Sequence, residues 1–367
     1  MQQTQAPVGL RLAAVRTKAK AAIAVAVASI YLACTPGANA AEIPADNGAA
    51  VVMYHRFGDP RHPSTNIALE QFEAHIAELA TGPYTVLPLP EIVAALREGR
   101  LLPERTVAIT IDDAFLSVYR EAWPRLRAAG LPFTVFVATQ AVDSNLPDYM
   151  NWDHLREMVA GGGVSIGNHG VTHGHMIRQS QATIRAEIAD GAKRLKQELG
   201  EAPVLFAYPY GEISLEIGET ARELGMIAAF GQHSGAIGRT DNLFGLPRYP
   251  LSEKYGDMDR FRLIANSLAL PVDDMTPADP LLSAANNPPF YGFTVAEGVK
   301  GLGALSCFAS RAELTLERLG DRRVETRLDR AFGPGRARIN CTMPGPDGRW
   351  RWRGRQFYVP AEATAER

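Results

Sequence analysis

The sequence predicts an α/β protein, a distorted (β/α) barrel of about seven units with a small C-terminal all-β appendage. Three observations predict it. From Ala50 to about Phe261, short apolar runs alternate with amphipathic stretches. The polar clusters that could carry chemistry fall at the ends of apolar runs, where α/β barrels place their active sites. Beyond Leu270 the pattern changes to short strand-like pieces separated by turn residues.

Within the first forty residues, Arg11, Arg16, Lys18 and Lys20 precede an apolar stretch over 21–33, and Ala38-Asn39-Ala40 offers a small-residue cleavage site. That order describes a secretory signal peptide over 1–40 cut near Ala40, and hence an exported, periplasmic or secreted chain. The apolar run falls short of the roughly 20 residues that span a bilayer, so no permanent membrane anchor is expected. Lipid attachment at Cys34 is the alternative, although Tyr31 stands where such sites want a Leu-like residue.

In the barrel, expected over 41–270, the strand candidates are 51–55, 84–87, 107–112, 133–138, 164–167, 205–208, 227–230 and 244–248. Helix candidates are 69–79, 89–97, 116–129, 152–160, 180–199 and 215–224. In 180–199, Ile184, Ile188, Leu195 and Leu199 recur at near-helical spacing before Gly200. Pro, Asp and Asn enrich 271–289, read as a linker or long surface loop. Strand-like pieces follow over 290–360, at 290–295, 304–309, 314–319, 336–342 and 350–359. Cys307 and Cys341 share this segment and are expected to form a disulfide there, with two buried free thiols as the alternative. Hydrophobic residues at 46%, charged residues at 21% and a formal net charge of −2 suit a soluble globular protein. Nothing in that balance points to a nucleic-acid partner.

Three local patterns carry chemistry. In Ile109-Thr110-Ile111-Asp112-Asp113, two adjacent carboxylates end an apolar strand. They repel each other, and a cation relieves that by pairing with one and leaving the other as a base. Taken alone, the pair also fits a solvated turn. In Gly167-Asn168-His169-Gly170-Val171-Thr172-His173-Gly174-His175, three of the chain's eight histidines fall within seven residues. His169 and His173, four apart, can converge on one cation, and Zn²⁺ accepts two nitrogens and a carboxylate. A polar loop of capping histidines is the other reading, and His175 is either a supporting partner or simply exposed. In Phe206-Ala207-Tyr208-Pro209-Tyr210-Gly211, a tight turn could aim a backbone N–H at a developing oxyanion.

Together these segments resemble the polysaccharide deacetylase superfamily, carbohydrate esterase family four, over about 51–261. The layout is similar to its exported biofilm-polymer deacetylases. The resemblance implies Asp112 as base, Asp113, His169 and His173 as ligands of a divalent metal, Zn²⁺ in the first instance, and Tyr210 as oxyanion donor. Asn151-Trp152 resembles the usual lead-in to the histidine loop. It implies an N-acetylated glycan as substrate. Two features depart from the family. Ala207 stands where many members have a base-orienting Arg, and Arg248, at the end of the last barrel strand, is the candidate substitute, counted also as a candidate substrate-binding residue. No C-terminal Leu-x-His follows, and His55, in Val51-Val52-Met53-Tyr54-His55, becomes the candidate acid; a core-edge histidine is the plainer reading.

Those departures leave room for a non-catalytic glycan-binding protein on a degenerate scaffold, and the same chemistry could serve a non-sugar amide or an ester. In Arg349-Trp350-Arg351-Trp352-Arg353, the two Trp residues share one strand face. They would fill a small core or, alternatively, grip sugar rings.

Overall fold

Uninterrupted apolar runs form the barrel strands. In the computed structural model, which describes residues 47–361, Gly48–Tyr54, Thr106–Asp112 and Phe133–Val137 are buried almost end to end. Strands covered on both faces read this way rather than as alternations. The leader reading, with Ala40 and Cys34, lies outside the described residues. Among the described residues, no helix is long and apolar enough to cross a membrane.

Those three strands continue in parallel order into Val164–Asn168, Leu205–Ala207 and Ala228–Phe230. Thr85–Val86 pairs beside Thr106–Asp112, and Ile237–Gly238, not expected from the sequence, runs antiparallel to Gly48–Tyr54. The last expected strand, 244–248, makes a single bridge between Phe230 and Leu246. Pro247 has no N–H to offer a ladder, so pairing resumes only at Tyr249–Pro250, parallel to Gly48–Tyr54. At this seam the last strand region returns to the first, giving a distorted barrel.

Alternation within each strand sorts its residues between two layers. Val52, Ile109 and Ile111 pack outward with Phe72, Leu126 and Leu155 of the surrounding helices. Val51, Ala108, Phe136 and Phe230 pack with Leu246 on the other side. Asp112 shares its strand face with Ala108 and Thr110, so its side chain points into the barrel.

Most helices form as expected. Gln181–Leu199 starts where Ser180 Oγ accepts from the Thr183 N–H and stops at Gly200, in the left-handed region. The single helix expected over 116–129 is instead a π-turn, Val118–Ala122, followed by an α-helix, Trp123–Ala128. Pro124 cannot donate to the carbonyl four residues back, which favours the wider turn before it. Thr139–Asp143 and Met258–Ala265 were not foreseen; the first is too short to show a period.

The C-terminal part is two four-stranded sheets. One contains Leu268–Ala269, Trp350–Val359, Gly335–Pro344 and Ser306–Ala309. The other contains Val272–Thr276, Tyr291–Val295, Arg323–Leu328 and Leu314–Leu319. Tyr291, Phe293, Val324, Ile339 and Phe357 are in the core of this part. The stretch 271–289 is therefore more than a linker, because Val272–Thr276 pairs with Tyr291–Val295. Cys307 and Cys341 stand opposite each other on adjacent strands and form a disulfide. The two Trp residues do not fill the core. Trp350 is 40% exposed, and Trp352 meets Tyr249 of the barrel edge-on at 5.5 Å. Arg351 and Arg353 are the buried members of that run, and Arg353 pairs with Asp241.

Two buried histidines make stability fall in acid. His75 stacks on Phe261 at 3.9 Å and bonds to Tyr54 Oη at 2.9 Å and the Gly256 carbonyl at 2.8 Å. Burial pushes its pKa down to about 4. Burial, aided by Arg355 and Arg353, pushes His233 down to about 3. Below the unfolded value of 6.5, the unfolded chain takes up protons that the folded one refuses. Stability is thus full above pH 6.5 and is lost as pH falls toward 4, by about 1.4 kcal/mol per pH unit for each group. Denaturant titrations at pH 7, 6 and 5 should show this slope, and it should be shallower in His75→Gln. An identical slope in both proteins would contradict the assignment to His75.

Candidate active site

Asp112 ends its strand, and the chain then turns left-handed at Asp113 (φ 75°) and Ala114 (φ 56°). Adjacent strand residues point to opposite faces, so this turn is what lets both carboxylates serve one site. The Asp113 N–H is anchored to the Phe136 carbonyl at 3.0 Å.

The histidine loop leaves the end of Val164–Asn168. Its His169 N–H bonds to the Val137 carbonyl at 3.0 Å, and His173 is held left-handed (φ 56°). Buried Glu187, on the helix Gln181–Leu199, accepts from the Val171 and Thr172 N–H groups at 2.9 Å each and from Thr172 Oγ1 at 2.7 Å. Sequence reasoning missed this carboxylate; its only signal was an acid between Ile184 and Ile188 on an otherwise apolar face.

His169 Nδ1 lies 2.7 Å from the Ala207 carbonyl. A carbonyl only accepts, so Nδ1 carries the proton and Nε2 presents its lone pair to the site. Asp113 Oδ1 is 3.4 Å from that Nε2 and 3.1 Å from His173 Nε2. One ligand atom from each of the three residues lies within 4.8 Å of the others. Asp113 Oδ1 and His169 Nε2 are buried without a hydrogen-bond partner. Two imidazole nitrogens and a carboxylate oxygen that converge in this way fit a divalent cation of zinc's preferences. Burial pushes the Asp113 pKa up, but His169 and His173 outweigh it and hold the carboxyl well below its usual range.

Arg248 is fully buried, and its position differs from the expected substrate contact. With no exposed surface, it grips Asp112 instead, Nη1 to Oδ1 at 2.7 Å and Nη2 to Oδ2 at 2.8 Å. Its Nε donates to the Gly231 carbonyl at 2.9 Å and its Nη1 also reaches Thr110 Oγ1 at 3.3 Å. Arg248 thus makes with Asp112 a contact that the Ala207 side chain cannot. Burial pushes the Asp112 pKa up, while Arg248 and His169 pull it down further, so the group stays ionised.

In the turn Pro209–Gly211, Tyr210 is left-handed (φ 59°). The turn uses the Gly211 and Glu212 N–H groups, bonded to the Tyr208 and Pro209 carbonyls. Gly211 is obligatory (φ 66°), since a Cβ there would lie 2.5 Å from the Gln232 nitrogen. The C-terminal sheets hold this turn from behind, with Gln356 Nε2 donating to the Tyr210 and Gly211 carbonyls at 3.2 and 2.7 Å. His175 stacks on the Tyr210 ring at 4.0 Å and bonds to buried Glu212 at 2.9 Å. Of its two readings, the supporting partner is the one this geometry matches.

His55, just past the first strand, lines a cleft of about 720 Å³ together with Asp113, His173 and Tyr210. Burial lowers its pKa, opposed by Asp113 and Asp112. A second cleft of about 340 Å³ shares Asp113, His173 and Tyr210, so the groove continues past these residues on both sides.

At the strand ends of the barrel lie Asp113, His169 and His173, a triad that could hold a metal ion, beside the Arg248-held Asp112. Residues 100–229 match the family model described as polysaccharide deacetylase. Over 202 residues it is 25% identical to the YxkH protein of Bacillus subtilis, spanning 55% of this chain and 71% of that protein. It is 26% identical, also over 202 residues, to a poly-beta-1,6-N-acetyl-D-glucosamine N-deacetylase of Staphylococcus aureus, spanning 51% of this chain and 68% of that one. The structure of IcaB from Ammonifex degensii matches with a TM-score of 0.54 at 25% identity. That match covers 98% of IcaB but 60% of this chain.

Proposed function

We propose that this chain hydrolyses N-acetyl groups on an amino-sugar polymer with a divalent metal, Zn²⁺ by its donor set, held by Asp113, His169 and His173. The observation that carries this reading is the convergent triad, with Asp113 Oδ1 and His169 Nε2 buried without hydrogen-bond partners, next to Asp112 and at the meeting of two clefts. A cation bound there supplies Lewis acidity, which polarises a carbonyl and makes water easier to deprotonate. Asp112 takes the proton of the attacking water. Arg248 occupies one lone-pair direction on each of its oxygens and leaves others to accept. The Tyr210 N–H donates to the acetamide oxygen as charge develops there. His55, at the cleft wall, delivers a proton to the leaving sugar nitrogen, giving a free amine and acetate.

The likeness to the Staphylococcus aureus enzyme supports a glycan rather than a small amide as substrate. A groove open on both sides of the triad suits internal residues of a chain. Export, by the leader read in the sequence, agrees with the Cys307–Cys341 disulfide, a bond that persists in oxidising compartments. The reading as a degenerate binding module rested partly on the missing arginine at Ala207, and Arg248 supplies that contact. Acetate release from poly-N-acetylglucosamine and chito-oligosaccharides tests the proposal. Release is expected to stop with chelator and in His169→Ala and His173→Ala, which should also purify without metal. Unchanged release by these variants would remove the triad from the reaction.

A further inference from the structure

The larger cleft has a wall that the barrel does not supply. Along Gly335–Pro344 burial alternates, with Ala337, Ile339, Cys341 and Met343 in the core of the C-terminal part. The alternate residues Arg336, Arg338 and Asn340 line the cleft with His55, Asp113 and His173. Arg260, from the helix Met258–Ala265, lines the same cleft.

These guanidiniums are poorly matched by protein anions. Among the described residues, the Arg338 side chain has no hydrogen bond or ion pair. Arg260 Nε is buried without a partner, and its guanidinium lies 5.4 Å from the centre of the Tyr255 ring. Its neighbour Asp257 accepts from the Arg260 backbone N–H at 2.9 Å as the helix cap. Arg336 donates to the Tyr210 carbonyl at 3.3 Å and lies 4.0 Å from Glu212, a carboxylate already bonded to His175. Partly buried arginines normally find a carboxylate or phosphate, because leaving them unpaired is costly. The adjoining cleft is different: beyond Asp113 and His173 its lining, including Gln140, Ser144 and Tyr149, carries no charge.

We propose that Arg336, Arg338 and Arg260 form an anion subsite, so that the glycan carries a carboxylate or phosphate on one side of the N-acetylated sugar. The inference rests on the deacetylase reading for the identity of the central sugar. It also separates this chain from one built for a homopolymer of N-acetylglucosamine. Deacetylating such a polymer leaves ammonium groups on neighbouring sugars, which three arginines would repel.

The test compares a tetrasaccharide of alternating N-acetylglucosamine and glucuronic acid with its neutral methyl ester. N-acetylglucosamine 1-phosphate serves as the phosphate arm. Binding is measured by calorimetry on metal-loaded Asp112→Asn, and kcat/KM on wild type, so a folding defect in the variant leaves one readout intact. The acid form, or the phosphate, should be preferred over the ester by about tenfold or more. Arg338→Gln and Arg260→Gln should narrow that ratio to about threefold or less. A higher affinity for the phosphate than for the acid tetrasaccharide names phosphate as the anion. Equal handling of acid, phosphate and ester overturns the subsite while leaving acetate release, and the deacetylase reading, standing. Tight acid binding with no acetate released from any glycan does the reverse.

Discussion

Asp112→Asn is expected to lose about 10²–10⁴-fold in kcat, the range that a positioned general base contributes. The amide cannot take the proton of water, yet it has nearly the shape of the carboxylate and still offers one acceptor to Arg248. The ligand atoms of Asp113, His169 and His173 are untouched, so the variant should carry as much metal as wild type. A stability loss of about 3–5 kcal/mol should accompany the change, since buried Arg248 keeps its charge and loses its counter-charge. Elemental analysis and circular dichroism, read beside acetate release, separate lost chemistry from lost fold. Turnover within about threefold of wild type would take Asp112 out of the base role.

The second large effect belongs to Arg248→Met. Removing the guanidinium strands the Asp112 carboxylate at a site with no solvent contact. Breaking a buried pair from one side costs about 3–5 kcal/mol, more than either partner's packing. Activity should fall even where the chain folds, because the base loses the two bonds that fix its plane. Adding Asp112→Asn to Arg248→Met should restore part of the stability, since a neutral amide tolerates burial that a carboxylate does not, but none of the turnover. Urea denaturation of the three variants reads both effects. Independent, additive losses in the double variant would mean that the two side chains are not coupled.

The parts of the site that share one local segment were legible in the sequence. Asp112 and Asp113 end an apolar run, and His169 and His173 lie one turn apart, so spacing alone suggested convergence. Residues that act across the fold were harder to read. Arg248 stands 136 positions from Asp112. A Leu-Pro-Arg segment does not say whether its arginine meets substrate or base, and the fold brings it to Asp112. Glu187 hid among apolar neighbours on a helix whose period was read correctly.

The C-terminal sheets show the same limit of local pattern. Gly335–Pro344 was recognisable as a strand, but which of its faces meets the barrel depends on docking, and so the cleft position of Arg336 and Arg338 could not be seen. Arg323–Leu328 escaped notice because charged residues alternate with Val324 and Thr326, masking the inward face. In Trp350–Val359, Phe357 is in the core, whereas the more conspicuous Trp residues are not.

The central claim is one catalytic divalent metal held by Asp113, His169 and His173. Titrating Zn²⁺ into metal-stripped protein, while following acetate release from an N-acetylated glycan in the same sample, tests it most directly. Activity should rise linearly, break at about one equivalent per chain as a single-site centre requires, and stay flat in His169→Ala. Acetate release that is already maximal in the stripped protein, or a titration with the same break in His169→Ala, would contradict the account.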